Sequence, residues 1–488
     1  MLKFKYIAFV TLIMSILSAT TGCKKFIEID PPKSSITTGQ LFSDNTQAEW
    51  AVAGIYSKMI MGIDQSLLPR AAEMTFSAGL ATILGSFSAD EMHNSDATFS
   101  PDYYYLHINR LTTDRAGAPA NAWKTAYKVV YDANAVIEGL AASTSLLDSV
   151  KDQLRGEALA LRSFAYFYLV NFFGDVPLAL TIDYTKTINL SRAPVAKVYE
   201  QIINDLIEAR SLVADDFSVG KDERVRVNSW FVEALLARIY LYTGKYQDAI
   251  TSATNVINKT DYFSLEPNLA DVFSSTSREA ILQLKPTNTD GAVKNAMPEG
   301  YLFSPLNAAN VSVFQLNEYF VQSFDTDDQR KNIWITQAGG MSSPFKYTVG
   351  ALNGTQFGPQ PQYYMVIRLA ELYLIRAEAS LLLSESNKDA AINDLNALRE
   401  RTGLDALSPT LNAAEVTEAI ANERKFELFA EWGHRWLDLK RTGKAIEVLS
   451  QIPSKQPWAG DHQLLYPIPA SEIRNNKNIT QNPGYDVQ

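Results

Sequence analysis

The chain has 488 residues, 46% of them hydrophobic, with 54 acidic against 44 basic side chains and a formal charge of -10. That length can bury a large core, arranged as two or three domains or as one extended helical body. The acidic balance excludes the basic footprint on which nucleic-acid binding depends.

At the N-terminus, Lys3 and Lys5 precede an apolar run from Ile7 to Leu17, and small residues lead to Cys23, the single cysteine. This pattern predicts a signal peptide over 1–22, too short to act as an ordinary membrane-spanning helix. Cys23 has no partner for an intramolecular disulfide and is a candidate for lipidation as the first mature residue. Thr20 stands where a lipobox usually has leucine, and the alternative is a secreted chain whose cysteine lies incidentally at the cut. Residues 23–40 read as a lipidated N-terminus and polar tether, with Pro31, Pro32 and Gly39 keeping it extended.

The body divides by composition into 41–259, 260–362 and 363–488. A first helix is predicted from about Asn45, with Val52, Ile55, Tyr56 and Met59 in apolar rhythm. Residues 60–118 are rich in Gly, Ser, Asp and Asn, and hold the run Tyr103, Tyr104, Tyr105 followed by His107. Three consecutive tyrosines cannot all face one core, so some are expected at the surface. Exposed rings beside polar donors suit a carbohydrate, whose apolar face stacks on an aromatic while its hydroxyls find partners. The other reading is that the rings pack under a long loop. His93 and His107 are too loosely spaced for a metal site.

Helices are then predicted from about Asn121, from about Val150 to a stop at Gly174, from Val195 to Val213, and from Ser229 to Gly244 with a partner to Ile257. Small residues at Ala234, Ala237 and Ala249 around the turn at Gly244 resemble a tetratricopeptide hairpin, about 34 residues per unit. A similar pair is expected from Leu369 to Arg399. Between them, 260–362 is irregular and aromatic, and long ordered stretches of this kind commonly form binding loops. Trp334 and Tyr347 are its candidate ligand residues. Asp325, Asp327 and Asp328 beside Arg330 are either an incomplete calcium-like oxygen cluster or a turn with Asp caps. A short strand is expected at Ile281–Leu284 and a helix at Met365–Leu383.

The stretch Ala421–Arg441 is the most unusual. Glu423, Glu427 and Glu431 recur every four residues, placing three carboxylates along one side of a predicted helix, among Phe426, Phe429, Trp432 and Trp436. With Arg424, Arg435 and Asp438, this composition is expected where carboxylate and guanidinium pairs are locked against a core. A solvated helix with ordinary ion pairs is the alternative. As glycosidase carboxylates they are poorly placed, since that chemistry needs two groups on facing walls of a cleft.

Taken together, the chain resembles the SusD/RagB family. The resemblance rests on the lipoprotein start at Cys23, on LeuArgSerPheAlaTyrPheTyrLeuVal from Leu161 with PheGlyAspValPro from Phe173, and on ArgLeuAlaGluLeuTyrLeuIleArgAlaGluAla from Arg368. It is sharpest in GluArgLysPheGluLeu from Glu423, GlyHisArgTrpLeuAspLeuLysArg from Gly433, TyrProIleProAlaSerGlu from Tyr466 and GlnAsnProGlyTyr at 481–485. It implies a mostly α fold, with a tetratricopeptide-like helical scaffold and a large irregular, loop-rich subdomain. It also implies a non-enzymatic, cofactor-free lipoprotein of the outer-membrane surface that binds glycan and hands it to a SusC-like TonB-dependent transporter. An adaptor for a non-glycan nutrient such as peptide is the alternative role.

Overall fold

The computed structural model describes residues 38–61, 74–94, 101–286, 297–303, 312–348 and 362–485. Cys23, the signal peptide and nearly all of the tether lie outside the described residues.

The scaffold is a stack of helices: α1 (Asn45–Met61), α2 (Ala81–Ser88), α3 (Pro101–His107), α4 (Gly117–Ala142), α5 (Asp148–Phe173), α6 (Val195–Leu212), α7 (Ser229–Tyr242) and α8 (Tyr246–Ile257). Helix α5 lies between α4 and α6, and from Leu154 to Phe173 nearly every side chain is buried. A helix apolar all round is one covered on all sides. Its Arg162 is held there by a fork to Asp205 of α6 (2.8 Å for both bonds) and a third bond to Asn134 of α4 (2.7 Å). One guanidinium thus ties three helices, a geometry that lysine could not supply.

Helices α7 and α8 form a hairpin across Gly244, whose φ of 73° is open to glycine at no steric cost. The chain then passes through short two-stranded ladders: β1 (Met92–Asn94) with β3 (Phe314–Leu316), β2 (Ala280–Leu284) with β6 (Tyr364–Arg368), and β4 (Ile335–Ala338) with β5 (Met341–Pro344), all antiparallel. A short helix, α9 (Gln329–Ile333), precedes β4. The longer C-terminal helices are α10 (Leu369–Leu383), α11 (Lys388–Arg399), α12 (Ala413–Glu427) and α13 (His434–Arg441), with short turns of helix at Ala445–Leu449 and Ala470–Asn475 beyond them. Helix α10 packs on α8 and α11, and a buried fork from Arg238 to Glu371 (2.6 Å each) fastens it to α7. The main apolar core runs from Phe42 to Tyr485, so all three compositional segments contribute to it.

Two sequence expectations are corrected here. The helix placed at Met365–Leu383 begins at Leu369, because Tyr364–Arg368 is a strand paired with β2. A fully buried strand is continuously apolar and reads like a buried helix. The helix expected through Ala421–Arg441 breaks after Glu427, and Ala430, Trp432 and Gly433 all take positive φ (49°, 50° and 72°). The cause is tertiary contact, since Gly433 abuts α2 so closely that a Cβ on Gly85 would stand 2.2 Å from its Cα.

Candidate functional site

Two regions carry the polar and aromatic side chains in question. The first surrounds the break between α12 and α13. Glu427 is fully buried and accepts from Arg368 (2.6 Å), Arg401 (2.7 Å) and Arg330 (3.0 Å). Glu431 takes a fork from Arg368 (2.8 and 2.9 Å) and a bond from Lys346 (2.6 Å). Glu423 pairs with Arg330, and Arg399 lies 3.6 Å from its other oxygen. With Asp328 on Arg330 and Glu279 on Arg401 and Arg368, five carboxylates face five cations in one buried cluster. Burial alone would raise the Glu427 carboxyl, but the fields of Arg401, Arg368 and Arg330 outweigh it and hold the group well below the usual carboxylate range.

A second set of pairs secures the same corner. Arg424 forks to Asp438 (2.7 and 3.0 Å), Arg441 joins Asp438 to Glu378, and Arg435 forks to Asp90 (2.7 and 2.9 Å). Trp436 is buried beneath the ammonium of Lys440, 5.1 Å from its ring. Every one of these carboxylates is committed to a cation: Asp328 and Glu423 line a pocket with Arg330 and Arg399, but both are held by those arginines instead of standing free as acid and base. Asp328 also caps α9 through the Arg330 N–H (3.0 Å), while Asp325 accepts the Asp327 N–H (3.0 Å), the geometry of an Asp turn. Among the described residues no group of three His, Cys, Asp or Glu is arranged to hold a metal.

The second region is α3, where the tyrosine run forms one helical turn instead of a loop. Tyr104 is 38% exposed. Tyr105 is half-buried, its ring edge-on to Tyr104 at 5.8 Å, with the Arg115 guanidinium 5.6 Å from its centroid. Tyr103 turns inward and packs edge-on against Phe87 (5.9 Å) and Phe314 (5.6 Å). His107 is buried beside His93, and burial, with the nearby Lys455 charge, pushes its pKa down to about 3.

Trp334 and Tyr347 do not join this surface. Trp334 is 1% exposed, its indole N–H donates to the Leu269 carbonyl (2.9 Å), and the Lys346 ammonium sits 4.6 Å from its ring. Tyr347 is 3% exposed, and its hydroxyl accepts the Met365 N–H (2.9 Å). Their rings flank Phe273, at 5.7 and 5.2 Å. In this structure neither of the two rings expected to meet ligand is open to solvent. Their faces are covered and their polar atoms spent on backbone, which makes them supports of the ion cluster. Of the six candidate ligand residues, only Tyr104 and Tyr105 present ring to solvent.

A stacked tetratricopeptide-like helical scaffold, carrying a loop-rich part and closed by a buried ion cluster, defines a receptor-type body. The chain belongs to the SusD/RagB family: the SusD family model matches residues 275–485, and a model described as starch-binding, associating with the outer membrane, matches 67–241. A SusD-like protein of Formosa agariphila is 27% identical over 432 residues, spanning 78% of this chain and 83% of the relative. A solved laminarin-binding SusD-like protein superposes with a TM-score of 0.72 at 25% identity, covering 90% of this chain and 99% of its own. Surface glycan-binding protein A of Bacteroides thetaiotaomicron, solved with laminarihexaose, gives 0.72 at 20% identity over 90% and 99% of the two chains.

Proposed function

We propose that this protein is a surface-exposed, lipid-anchored receptor of the outer membrane that captures an oligo- or polysaccharide and delivers it to a SusC-like TonB-dependent transporter. The observation that carries this reading is the near full-length likeness, in sequence and fold, to a protein known to bind laminarin. The surface assigned to the sugar is α3, where Tyr104 and Tyr105 offer ring faces and Arg115 offers donors. Neutral sugars bind where an aromatic plane covers the C–H face of the ring and polar groups at its rim meet the hydroxyls. No bond is broken in this scheme. The carboxylates that could have served as acids or bases are buried against arginine and lysine.

Calorimetry of the purified protein against laminarin, then a panel of other polysaccharides with peptide controls, tests the reading. Binding is expected for at least one polysaccharide, with Tyr104→Ala weakening it about five- to tenfold and leaving the melting temperature unchanged. Binding of peptides alone, or of the transporter with no polysaccharide bound, would replace glycan capture with the adaptor role.

A further inference from the structure

The C-terminal segment 453–463 is fastened along the exit of α3 by bonds that do not belong to any helix or ladder. Asn109 ends that helix with a φ of 50°, and the Arg110 N–H returns to the Tyr105 carbonyl (2.9 Å). The buried ammonium of Lys455 donates to the Phe87 carbonyl (2.8 Å), to the His107 carbonyl and to Asn109 Oδ1 (2.6 Å). Two residues on, the Pro457 carbonyl accepts from Arg110 Nη2 (3.0 Å). Gln463 then takes both the N–H and the carbonyl of Leu111, at 2.9 and 3.0 Å.

This clamp carries Trp458 to the neighbourhood of the tyrosines, with one arginine side chain between Pro457 and the Tyr105 backbone. Trp458 is half-buried between exposed Pro457 and Ala459, and its indole N–H donates to Asp461 Oδ1 (3.2 Å). The ring, partly buried against the main core and held by Asp461, is thus oriented before any ligand arrives, which lowers the ordering cost of binding. Among the described residues, the Arg110 guanidinium makes one hydrogen bond, to Pro457, out of its five donors. Arg110 and Arg115 are balanced by Asp114 and Asp461, so the strip has no net charge to offer an acidic sugar.

We infer that Trp458 is a second stacking surface for a neutral glycan, continuous with Tyr104 and Tyr105 through Arg110, with Asp461 taking a sugar hydroxyl. This rests on the assignment of α3 to the sugar. A chain of several sugar units is the class of ligand that two separate ring platforms fit, because one ring engages each.

The test uses the full-length protein in detergent and the polysaccharide that the wild type binds, beginning with laminarin. Trp458→Ala is expected to weaken binding about tenfold, with Trp458→Tyr recovering most of it and melting unchanged. Glycan is expected to shift tryptophan emission in the wild type and to leave Trp458→Phe unchanged. Bound glycan should also protect Trp458 from N-bromosuccinimide, read by mass spectrometry, which decides the matter even where the alanine variant fails to fold. Affinity should change little between low and physiological salt, since no charge pair drives it. If Tyr104→Ala weakens binding while Trp458→Ala does not, and Trp458 stays reactive in the complex, the inference is overturned and glycan capture stands. A steep loss of affinity with salt would overturn the neutral class. If the wild type binds no polysaccharide, capture itself fails and the inference falls with it.

Discussion

Replacing Glu427 by glutamine removes one negative charge from the centre of the buried cluster while keeping the shape of the side chain. In the wild type its two oxygens accept from Arg368, Arg401 and Arg330 at 2.6 to 3.0 Å, and the residue is 0% exposed. The amide can accept at one end only, and its NH2 would face a guanidinium that has nothing to give but protons. Breaking one side of a buried, hydrogen-bonded pair costs about 3–5 kcal/mol, because the partner charge stays behind without compensation. Urea unfolding followed by tryptophan fluorescence reads this as a lower midpoint with an unchanged slope. The pH dependence supplies a second readout. Because the folded pKa of Glu427 is depressed, its contribution is fully present above the unfolded value of about 4.3 and is lost as pH falls through the folded value. The gap between wild type and Glu427→Gln should therefore be largest at neutral pH and narrow in acid. Glu447→Gln, at an exposed helix pair with Lys444, should leave the midpoint where it was. A Glu427→Gln protein within about 1 kcal/mol of wild type at neutral pH, or a deficit that does not shrink in acid, would refute the reasoning.

Three further perturbations test other parts of the structure. Burial, helped by the neighbouring Asp90 charge and opposed by the Ser86 hydrogen bond, raises the Glu91 carboxyl to about 7. A raised acid is a cost that appears as pH climbs from about 4.3 to 7, so Glu91→Gln should flatten wild-type stability over that interval, by on the order of 3 kcal/mol in denaturant titrations. Gly85→Ala puts a methyl 2.2 Å from the Gly433 backbone, and should cost about 3 kcal/mol or more, since backbone on both sides cannot yield as a side chain does. Trp334→Ala should lower stability by about 3–5 kcal/mol, read by the unfolding midpoint, whereas a ligand role at the surface would lower glycan affinity with the midpoint intact.

Long helices with an apolar rhythm were legible in the sequence. The rhythm from Asn45 ends in α1, that from about Val150 in α5, and the one from Val195 in α6, each starting within a few residues of the place expected. The ladders were not, apart from the strand expected at Ile281–Leu284. Strands of three or four residues, such as Met92–Asn94 and Phe314–Leu316, are too short to show alternation. The break at Ala430–Gly433 was hidden because Glu427 and Glu431 keep a helical spacing, while what bends the chain is the approach of Gly85 from far away in sequence. Aromatic exposure was the least legible property. Composition marked 260–362 as rich in rings, but whether a ring meets solvent depends on what lies above it, and Lys346 lies above Trp334. Trp458 lies between Pro457 and Asp461 in a proline-punctuated stretch, and a tryptophan with a carboxylate three residues later is the faint signal that the sequence carries there.

The ion cluster also determines how the loop-rich part is held. Arg330 and Lys346 come from that part, whereas Glu423, Glu427 and Glu431 come from the C-terminal helices, and Arg368 and Arg401 close the ring. Each half is neutral in sum, Arg330 and Lys346 against Asp328 and Glu279 on one side and Arg368, Arg399 and Arg401 against the three glutamates on the other. The bonds, however, cross between them: Arg330 to Glu423 and Glu427, Lys346 to Glu431, and Arg368 and Arg401 to Glu279. Separating the halves would leave buried charges without these partners, each at a cost of several kcal/mol. The described segment 312–348 is thereby fixed by a few charged posts. The segment around Arg330 and Lys346 cannot swing from α12 as a unit without undoing the whole cluster. In the proposed scheme, glycan would meet α3 on a body whose described parts are already tied together, leaving selectivity among glycans to the side chains at its surface.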